Sequence, residues 1–376
     1  MNTLTATRLH ASDVNLTMVS NTPAVTSYAL RYFGSWWNAF EVPPSSVCTA
    51  PVVFADVDAD QYATLQALVE TCPHEKTTYA KAATLVARDS EGTVTAVSPT
   101  QQLAYRHEPA TGRLSVIGTG SEPVALAAAR IARDAMRGML LDRGWTLLHA
   151  SAVTDNCRTV LTFGAKGAGK TTTALALANL GWQLLANDRI FVRPDDTGDL
   201  RILPWPSAAA IGLGLLDALG WYDVARKRLQ SGEALHPTQH PDVTQALLAG
   251  RREPLWEPDG KRERKVQVYP DQFTDWFGLQ LATGGRAAAL LFPRIQHDGA
   301  PSVEGCRRTL GEADFMHGAT EDRYPDILGL AAAGGSGSSD ARQRVADHLA
   351  KLPQHTVALG HDTAANATFL HHLLTE

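Results

Sequence analysis

Residues 159–192 read TVLTFGAKGAGKTTTALALANLGWQLLANDRIFV, and this stretch decides the fold class. Within it, residues 164–171 fit the pattern GxxxxGK[ST] at every fixed position. An apolar strand is predicted before the glycines, over Thr159–Phe163, and a helix after them, over Lys170–Leu180. Strand, glycine loop and helix in that order are typical of a phosphate-binding loop in an α/β nucleotide-binding domain.

Each fixed position of the loop has a physical reason. Gly164, Gly167 and Gly169 allow backbone conformations that turn several N–H groups toward one anion. The helix N-terminus adds further N–H groups and a partial positive charge. Lys170 can reach β- and γ-phosphate oxygens, and the Thr171 hydroxyl can ligate Mg²⁺, so a nucleotide and Mg²⁺ are the expected cofactors. ATP is taken as the default over GTP, because the loop binds phosphates and does not distinguish the base. The predicted nucleotide-binding residues are Gly164, Ala165, Lys166, Gly167, Ala168, Gly169, Lys170, Thr171 and Thr172. The alternative is a glycine-rich turn with an incidental Lys-Thr pair.

A carboxylate is expected near the loop, to hold the metal or to activate the acceptor. The next predicted strand, Leu184–Val192, carries Asp188 within an apolar run, 18 residues after Lys170 (188 − 170). We therefore predict Asp188 as a metal ligand or catalytic residue. Its alternative role is to end the strand and cap a turn.

The segment Leu148–Val153, taken with residues 163–194, resembles the catalytic domain of HPr kinase/phosphorylase. That family includes relatives that phosphorylate serine in modified peptides or small molecules, and its nucleotide-binding core is similar to that of PEP carboxykinase. His149, Lys170, Thr171 and Asp188 match the family positions, which implies catalytic roles for His149, Lys170 and Asp188. The match is specific over residues 145–205, weak beyond them, and absent from residues 1–120.

One departure from the family pattern concerns the general base. The family usually has two adjacent aspartates, whereas here Asn187 precedes Asp188. An amide does not titrate near neutrality, so Asn187 cannot act as a base. If the first aspartate is the general base in the family, this chain has no residue in that role. The reverse reaction, phosphorolysis of the phosphorylated product, is then not expected from the resemblance. His149 has two interpretations: contact with the γ-phosphate or acceptor, and a hydrogen-bonded core residue.

Three further cations are weaker candidates for neutralising charge on the transferring group. Arg264 and Lys265 end the charged run 261–265, and Arg294 follows an apolar strand predicted over Ala287–Pro293. A charged run is more often a solvated loop.

Composition excludes several classes of protein. The formal charge of −5 lacks the basic surplus typical of proteins that bind nucleic acid or membranes. Four scattered cysteines without a CxxC pair argue against a disulfide framework or zinc site. No signal peptide and no run of about 18 apolar residues is present, so we expect a cytoplasmic protein. Homo-oligomerisation is left open.

The chain is predicted to have two domains. Residues 1–120 are expected to be β-rich, with one helix over Ala59–Thr71 and a possible role in substrate recognition. Residues 121–376 are expected to form the P-loop kinase domain, beginning with a helix over Glu122–Arg143. Single strands are predicted over Trp145–Val153 and Leu184–Val192, a helix over Ala208–Ala218, and loops over Arg251–Lys265 and Ala331–Asp340.

The sequence thus favours an ATP- and Mg²⁺-dependent kinase that transfers the γ-phosphoryl group to a hydroxyl of a small molecule or peptide, for instance in natural-product biosynthesis. A serine kinase acting on a protein or on a precursor peptide of a ribosomally made product is one alternative. A non-catalytic nucleotide sensor is another. A decarboxylating kinase is disfavoured, since no second set of metal-binding His and Lys is evident.

Overall fold

The computed structural model describes residues 4–46, 51–296, 299–305, 308–315, 325–330 and 335–376. It is a mixed α/β protein whose contacts divide it into two compact units. The first unit comprises Met1–Thr146 and Met316–Ser339, and the second Leu147–Phe315 and Asp340–Glu376. The division thus falls after the first long helix of the predicted kinase domain, later than the predicted boundary at residue 120.

The first unit is built on a sheet with nine described strands in the order β3-β1-β2-β4-β9-β8-β7-β6-β5. The strands are β1 (Thr5–Ala11), β2 (Val14–Ser20), β3 (Phe40–Val42), β4 (Val52–Val57), β5 (His74–Tyr79), β6 (Ala82–Arg88), β7 (Val94–Ser98), β8 (Leu103–Glu108) and β9 (Arg113–Gly118). Strands β6–β9 pair antiparallel in sequence order and form a meander, in agreement with the predicted β-rich character of this region.

Three α-helices in the described part of this unit pack on the sheet: α1 (Pro23–Trp37), α2 (Ala59–Thr71) and α3 (Ser121–Asp142). The predictions for α2 and α3 are confirmed to within a residue at either end, whereas α1 was not predicted. Helix α3 buries Val124, Ala128 and Ile131, which recur at helical spacing. It packs on β2, β4, β9 and α1, which places it in the first unit.

The second unit contains a sheet whose main order is β10-β14-β15-β20-β12-β11-β13, with β22 beside β20 and β21 beside β22. Its strands are β10 (Thr146–Leu148), β11 (Ser151–Thr154), β12 (Thr159–Thr162), β13 (Gln183–Ala186), β14 (Ile190–Pro194), β15 (Leu200–Pro204), β20 (Gly285–Ile295), β21 (Ser302–Glu304) and β22 (Gln354–Leu359). Strand β20 runs parallel to both β12 and β22, so their carboxyl ends lie at one edge of the sheet.

Seven helices and two small ladders complete the described part of this unit. The ladders are β16 (Ala209–Ile211) with β19 (Val266–Val268), and β17 (Leu255–Trp256) with β18 (Glu263–Arg264). The helices are α4 (Lys170–Asn179), α5 (Leu213–Ala218), α6 (Tyr222–Gln230), α7 (Pro241–Leu248), α8 (Pro270–Asp275), α9 (Ser339–Leu349) and α10 (Thr363–Thr375). No helix in the described residues is long and apolar enough to cross a bilayer.

Four local predictions are wrong in this unit. The single strand predicted over Trp145–Val153 is β10 and β11, interrupted at His149 and Ala150, and the one over Leu184–Val192 is β13 and β14, interrupted at Asn187–Arg189. The predicted helix over 208–218 begins as β16, and the predicted loop over 251–265 contains the β17–β18 hairpin. In the predicted loop 331–340, residues 331–334 lie outside the described residues, and α9 begins at Ser339.

Candidate active site

The glycine loop leaves the carboxyl end of β12 and enters α4, as the sequence predicts. The Phe163 N–H donates to the Leu291 carbonyl at 2.9 Å, which extends the pairing of β12 with β20 up to the start of the loop. The loop therefore begins from a buried, parallel pair of strands and ends at a helix N-terminus. This arrangement directs free N–H groups of the helix toward the loop.

Two glycines are required by the loop backbone. Gly167 and Gly169 have φ angles of 87° and 102°, which L side chains rarely adopt. At Gly169 a Cβ would also lie 2.8 Å from Cδ1 of Ile295, a residue at the end of β20. A larger residue at 169 would therefore strain the backbone and force the Ile295 side chain to shift. Lys166 is exposed in the loop, and Thr172 lies in the first turn of α4.

Lys170 is enclosed by the loop that precedes it. Its side chain is buried, and Nζ donates to the carbonyls of Gly164 at 2.6 Å and Ala165 at 3.3 Å. The Ser151 hydroxyl on β11 donates to the Lys170 carbonyl at 2.9 Å and anchors the first turn of α4. The ammonium group thus lies within the curve of the loop, where its charge is available to an anion.

The interruption between β13 and β14 lies against the start of α4. The Thr171 hydroxyl donates to the Asn187 carbonyl at 3.3 Å. Asn187 is buried, and its Oδ1 accepts from the Ser207 hydroxyl at 3.4 Å. Thr171, the predicted metal-binding threonine, therefore contacts the backbone of the residue that precedes Asp188 in the chain. The strand is interrupted here, and the Asn187 carbonyl accepts from Thr171 on α4.

Asp188 is held between two basic side chains. His149 Nε2 lies 3.3 Å from Asp188 Oδ1, and Arg189 Nε lies 3.3 Å from Oδ2. The Asp188 side chain is 42% exposed, so it is reachable by solvent or a ligand. His149 and Asp188 come from two different strand interruptions, separated by 39 residues (188 − 149), and the structure brings both together with Lys170.

The electrostatics of this cluster favour the carboxylate form of Asp188. Crowding by protein atoms acts to raise the pKa of its carboxyl group, but it is outweighed by the hydrogen bond with His149 and by the positive charges of Arg189, His149 and Lys170. The pKa of Asp188 is therefore below its usual value. A carboxylate of this kind stays ionised and is a weak base.

A hydrogen bond to Asp314 fixes the backbone at His149. Its N–H donates to the Asp314 carbonyl at 2.9 Å, and Asp314 is itself buried. The Asp314 carboxylate accepts from Arg308 at 2.8 Å and from the Gly311 N–H at 2.9 Å. These contacts hold the interruption between β10 and β11 in place, and with it the imidazole beside Asp188.

The three weaker candidates have partners elsewhere. Arg264 pairs with Asp242 and with Glu257, and Lys265 lies 4.0 Å from Glu263, so both belong to the β17–β18 region. Arg294 pairs with Glu304 on β21. Its neighbours Pro293 and Ile295 face Gly169, and because side chains alternate along a strand, Arg294 lies on the other face of β20.

Sequence reasoning missed three residues of this site: Ser151, Arg189 and Ser207. Arg189 follows Asp188 directly, and a charged residue at the end of an apolar run was a signal in itself. Ser151 stands two residues after His149, in the segment that carries the family resemblance. Ser207 lies beyond β15, and only the folded chain brings it to Asn187.

The donors fit a magnesium ion that is shared with phosphates. Thr171 and Asp188 supply a hydroxyl and a carboxylate, which are hard oxygen ligands. Among the residues that the structure describes, no group of three or more His, Cys, Asp or Glu could hold a metal ion. Mg²⁺ commonly binds through one or two protein oxygens together with substrate phosphates, and this site fits that pattern.

Neither a family model nor a curated protein sequence matches this chain. Among solved structures, the chain is similar to an HPr(Ser) kinase/phosphatase from Coxiella burnetii. The identity is 12%, the match covers 61% of this chain and 92% of that chain, and the TM-score is 0.24. This is a weak structural neighbour, and it carries no weight for function.

Proposed function

We propose that the second unit is a phosphotransferase that uses ATP and Mg²⁺ to phosphorylate a hydroxyl group. One observation carries the proposal: the loop around Lys170 and the pair His149–Asp188 meet at the same place, although three separate segments supply them. A glycine-rich turn without function would not require a buried lysine beside a carboxylate from another strand.

The chain's own groups account for nucleotide binding. The N–H groups of the loop and of the first turn of α4 bind the β- and γ-phosphates, and Lys170 exchanges its contacts with the Gly164 and Ala165 carbonyls for phosphate oxygens. Thr171 and Asp188 would hold Mg²⁺, which supplies charge neutralisation on the β- and γ-oxygens when it is bound. Catalysis on this account rests on positioning and electrostatics.

The lowered pKa of Asp188 bears on the choice between base and metal anchor. A general base works best with a pKa near the working pH, and a carboxylate below its usual value is far from that. Phosphoryl transfer through a loose transition state does not require a strong general base. We therefore assign Asp188 mainly to orienting the metal and nucleotide. The imidazole of His149 holds the Oδ1 oxygen and is the next candidate to receive the acceptor's proton.

The acceptor is tested by incubating the protein with γ-labelled ATP and an extract of its own cells. Products are separated by size into small molecules, peptides and proteins. Label in a small or peptide product supports the proposal and identifies the acceptor class, and the Lys170→Ala variant provides the background. Tight ATP binding without transfer to any fraction would contradict the proposed reaction and favour the nucleotide sensor.

A further inference from the structure

Arg189 places a fixed positive charge beside Asp188. Its Nε lies 3.3 Å from Asp188 Oδ2, and its guanidinium group lies 5.6 Å from the ring centroid of Trp205. Trp205 is buried at the end of β15, and the Arg189 side chain is 22% exposed. Since the arginine is held between a carboxylate and a buried aromatic ring, its charge stays at the site.

The charges around the Asp188 carboxylate disfavour the binding of a divalent cation in the absence of nucleotide. Asn187 is neutral, so Asp188 is the one acidic side chain at this strand interruption, and both Arg189 and Lys170 act on it electrostatically. A divalent cation at Asp188 gains attraction from one negative charge and meets repulsion from two permanent positive ones. Within the described ranges no larger group of acidic or imidazole ligands offsets that repulsion.

We propose that Arg189 makes metal binding at Asp188 depend on the nucleotide. The inference rests on the proposed function, because the phosphates must supply the missing negative charge and the remaining oxygen ligands. Without nucleotide the cations around Asp188 exclude a divalent ion. With nucleotide, the same cations bind the polyphosphate, and the metal arrives as its complex. Arg189 is thus a positioning residue that sets the order of binding and does not need to touch the reacting atoms.

The test is a titration of Mn²⁺ alone, followed through the EPR signal of the free ion, without nucleotide and then with ADP. The wild-type protein should bind Mn²⁺ no more tightly than about 1 mM without nucleotide, as expected for a single carboxylate. Arg189→Met should tighten nucleotide-free binding by about tenfold or more, because a unit charge a few Å from a divalent ion is removed. Arg189→Lys keeps the charge and should resemble the wild type.

Arg201→Met is the matched control. It removes one arginine from the same hairpin, but Arg201 is exposed and pairs with Asp195 at 3.4 Å. It should leave the nucleotide-free affinity for Mn²⁺ unchanged, so a local effect is separated from the change in net charge. If Arg189→Met does not fold, as judged by circular dichroism, Arg189→Gln replaces it in the same titration.

Two results would overturn the inference: tight Mn²⁺ binding by the wild type without nucleotide, or no increase in affinity when the charge of Arg189 is removed. Both come from the nucleotide-free titration and do not depend on turnover. The proposed function fails separately, if the wild-type protein binds no ADP in a direct calorimetric titration. The two failures are therefore distinguishable.

Discussion

The two units are each built on a large sheet, but they place their polar side chains differently. In the first unit, buried hydroxyls lie within strands and bond to backbone carbonyls, as when Thr7 donates to the Thr26 carbonyl at 3.1 Å. The second unit also has such hydroxyls, as at Ser151, but in addition its charged side chains meet where strands are interrupted, as His149 and Asp188 do. Hydroxyls such as that of Thr7 form hydrogen bonds that stabilise the fold. Charged side chains such as those of His149 and Asp188 are available to bind a ligand.

We therefore expect the residues that determine the free energy of unfolding and the residues that determine activity to lie in different parts of the chain. Substitutions at the strand interruptions of the second unit should remove activity with little effect on unfolding. Substitutions in the core of the first unit should lower stability and leave the affinity of the folded protein for nucleotide unchanged.

The largest effect is expected for Lys170→Ala. Loss of the ammonium group should abolish transfer and weaken ATP binding by about 2–4 kcal/mol, the range for a charged contact in a dry site. The melting curve should change little, because the lysine Nζ donates to the Gly164 and Ala165 carbonyls, which belong to the adjacent loop and not to the core of the unit. Turnover is measured with labelled ATP and binding by calorimetry.

Lys351→Ala serves as the control, since it removes an exposed lysine after α9. It should behave as the wild type in both measurements. Normal turnover by Lys170→Ala with an unchanged melting curve would exclude the P-loop interpretation.

Asp188→Asn should lower turnover by at least about a hundredfold, the scale of one positioned acid–base or metal-binding group. The substitution keeps the shape and removes the charge that His149 and Arg189 hold. Because the pKa of Asp188 is lowered, we expect the metal role, and raising Mg²⁺ should partly restore turnover. Steady-state kinetics over a range of Mg²⁺ concentrations provides the measurement.

The control for this variant is Asp196→Asn, in the exposed turn between β14 and β15. A rate within a few-fold of wild type for Asp188→Asn would make the residue structural. The absence of rescue at high Mg²⁺ would instead favour its role as a base.

Trp37→Ala tests the first unit. Trp37 is fully buried in α1 and stacks on Phe33 with ring centroids 5.4 Å apart. Its truncation should cost about 3–5 kcal/mol of the free energy of unfolding. Phe40→Ala, at a residue that is 48% exposed, should change stability by less than about 0.5 kcal/mol. Chemical denaturation gives both values. A parallel loss of nucleotide affinity in folded Trp37→Ala would contradict the separation.

The sequence predicted those elements whose signal is local. The glycine loop, its strand and its helix were predictable because residue type alone specifies a phosphate loop. Helices α2 and α3 were predictable because an apolar stripe recurs along each of them. Asp188 and His149 were found as single residues, but their pairing was not, because it depends on contacts between distant segments.

The errors share a physical cause. The apolar run Leu184–Val192 predicts one strand, but the strand is interrupted at Asn187–Arg189, where the Asn187 carbonyl accepts from Thr171 on α4. Periodicity describes which face is buried and does not show where a run is interrupted. In the same way, Arg264 looked available for catalysis, but its partners Asp242 and Glu257 are supplied by other segments. Only the tertiary structure reveals such partners.

The smallest effect is expected at Glu263, a charged residue of the second unit outside the candidate site. A Cβ at residue 212 would overlap its carboxylate, so the group is packed against the backbone of Gly212. Burial raises the pKa of the Glu263 carboxyl by more than Lys265, 4.0 Å away, lowers it. A glutamate whose pKa is raised by folding binds its proton more tightly in the folded state. Its contribution to the free energy of unfolding is therefore fully present below the pKa of an unfolded-state glutamate. That contribution is lost as the pH rises through the pKa of the folded state.

Glu263→Gln should remove this dependence, because the amide does not titrate. We expect the variant to be slightly more stable than the wild type at pH 7 and indistinguishable from it, or slightly less stable, near pH 4. The measurement is the denaturation midpoint at both pH values. Glu253→Gln, which makes the same charge change at an exposed position before the β17–β18 hairpin, should show no such crossover. Because neither residue belongs to the cluster around Asp188, turnover should not change in either variant. A fall in turnover for Glu263→Gln alone would extend the functional region of the second unit from the strand interruptions to the segment that carries Gly212.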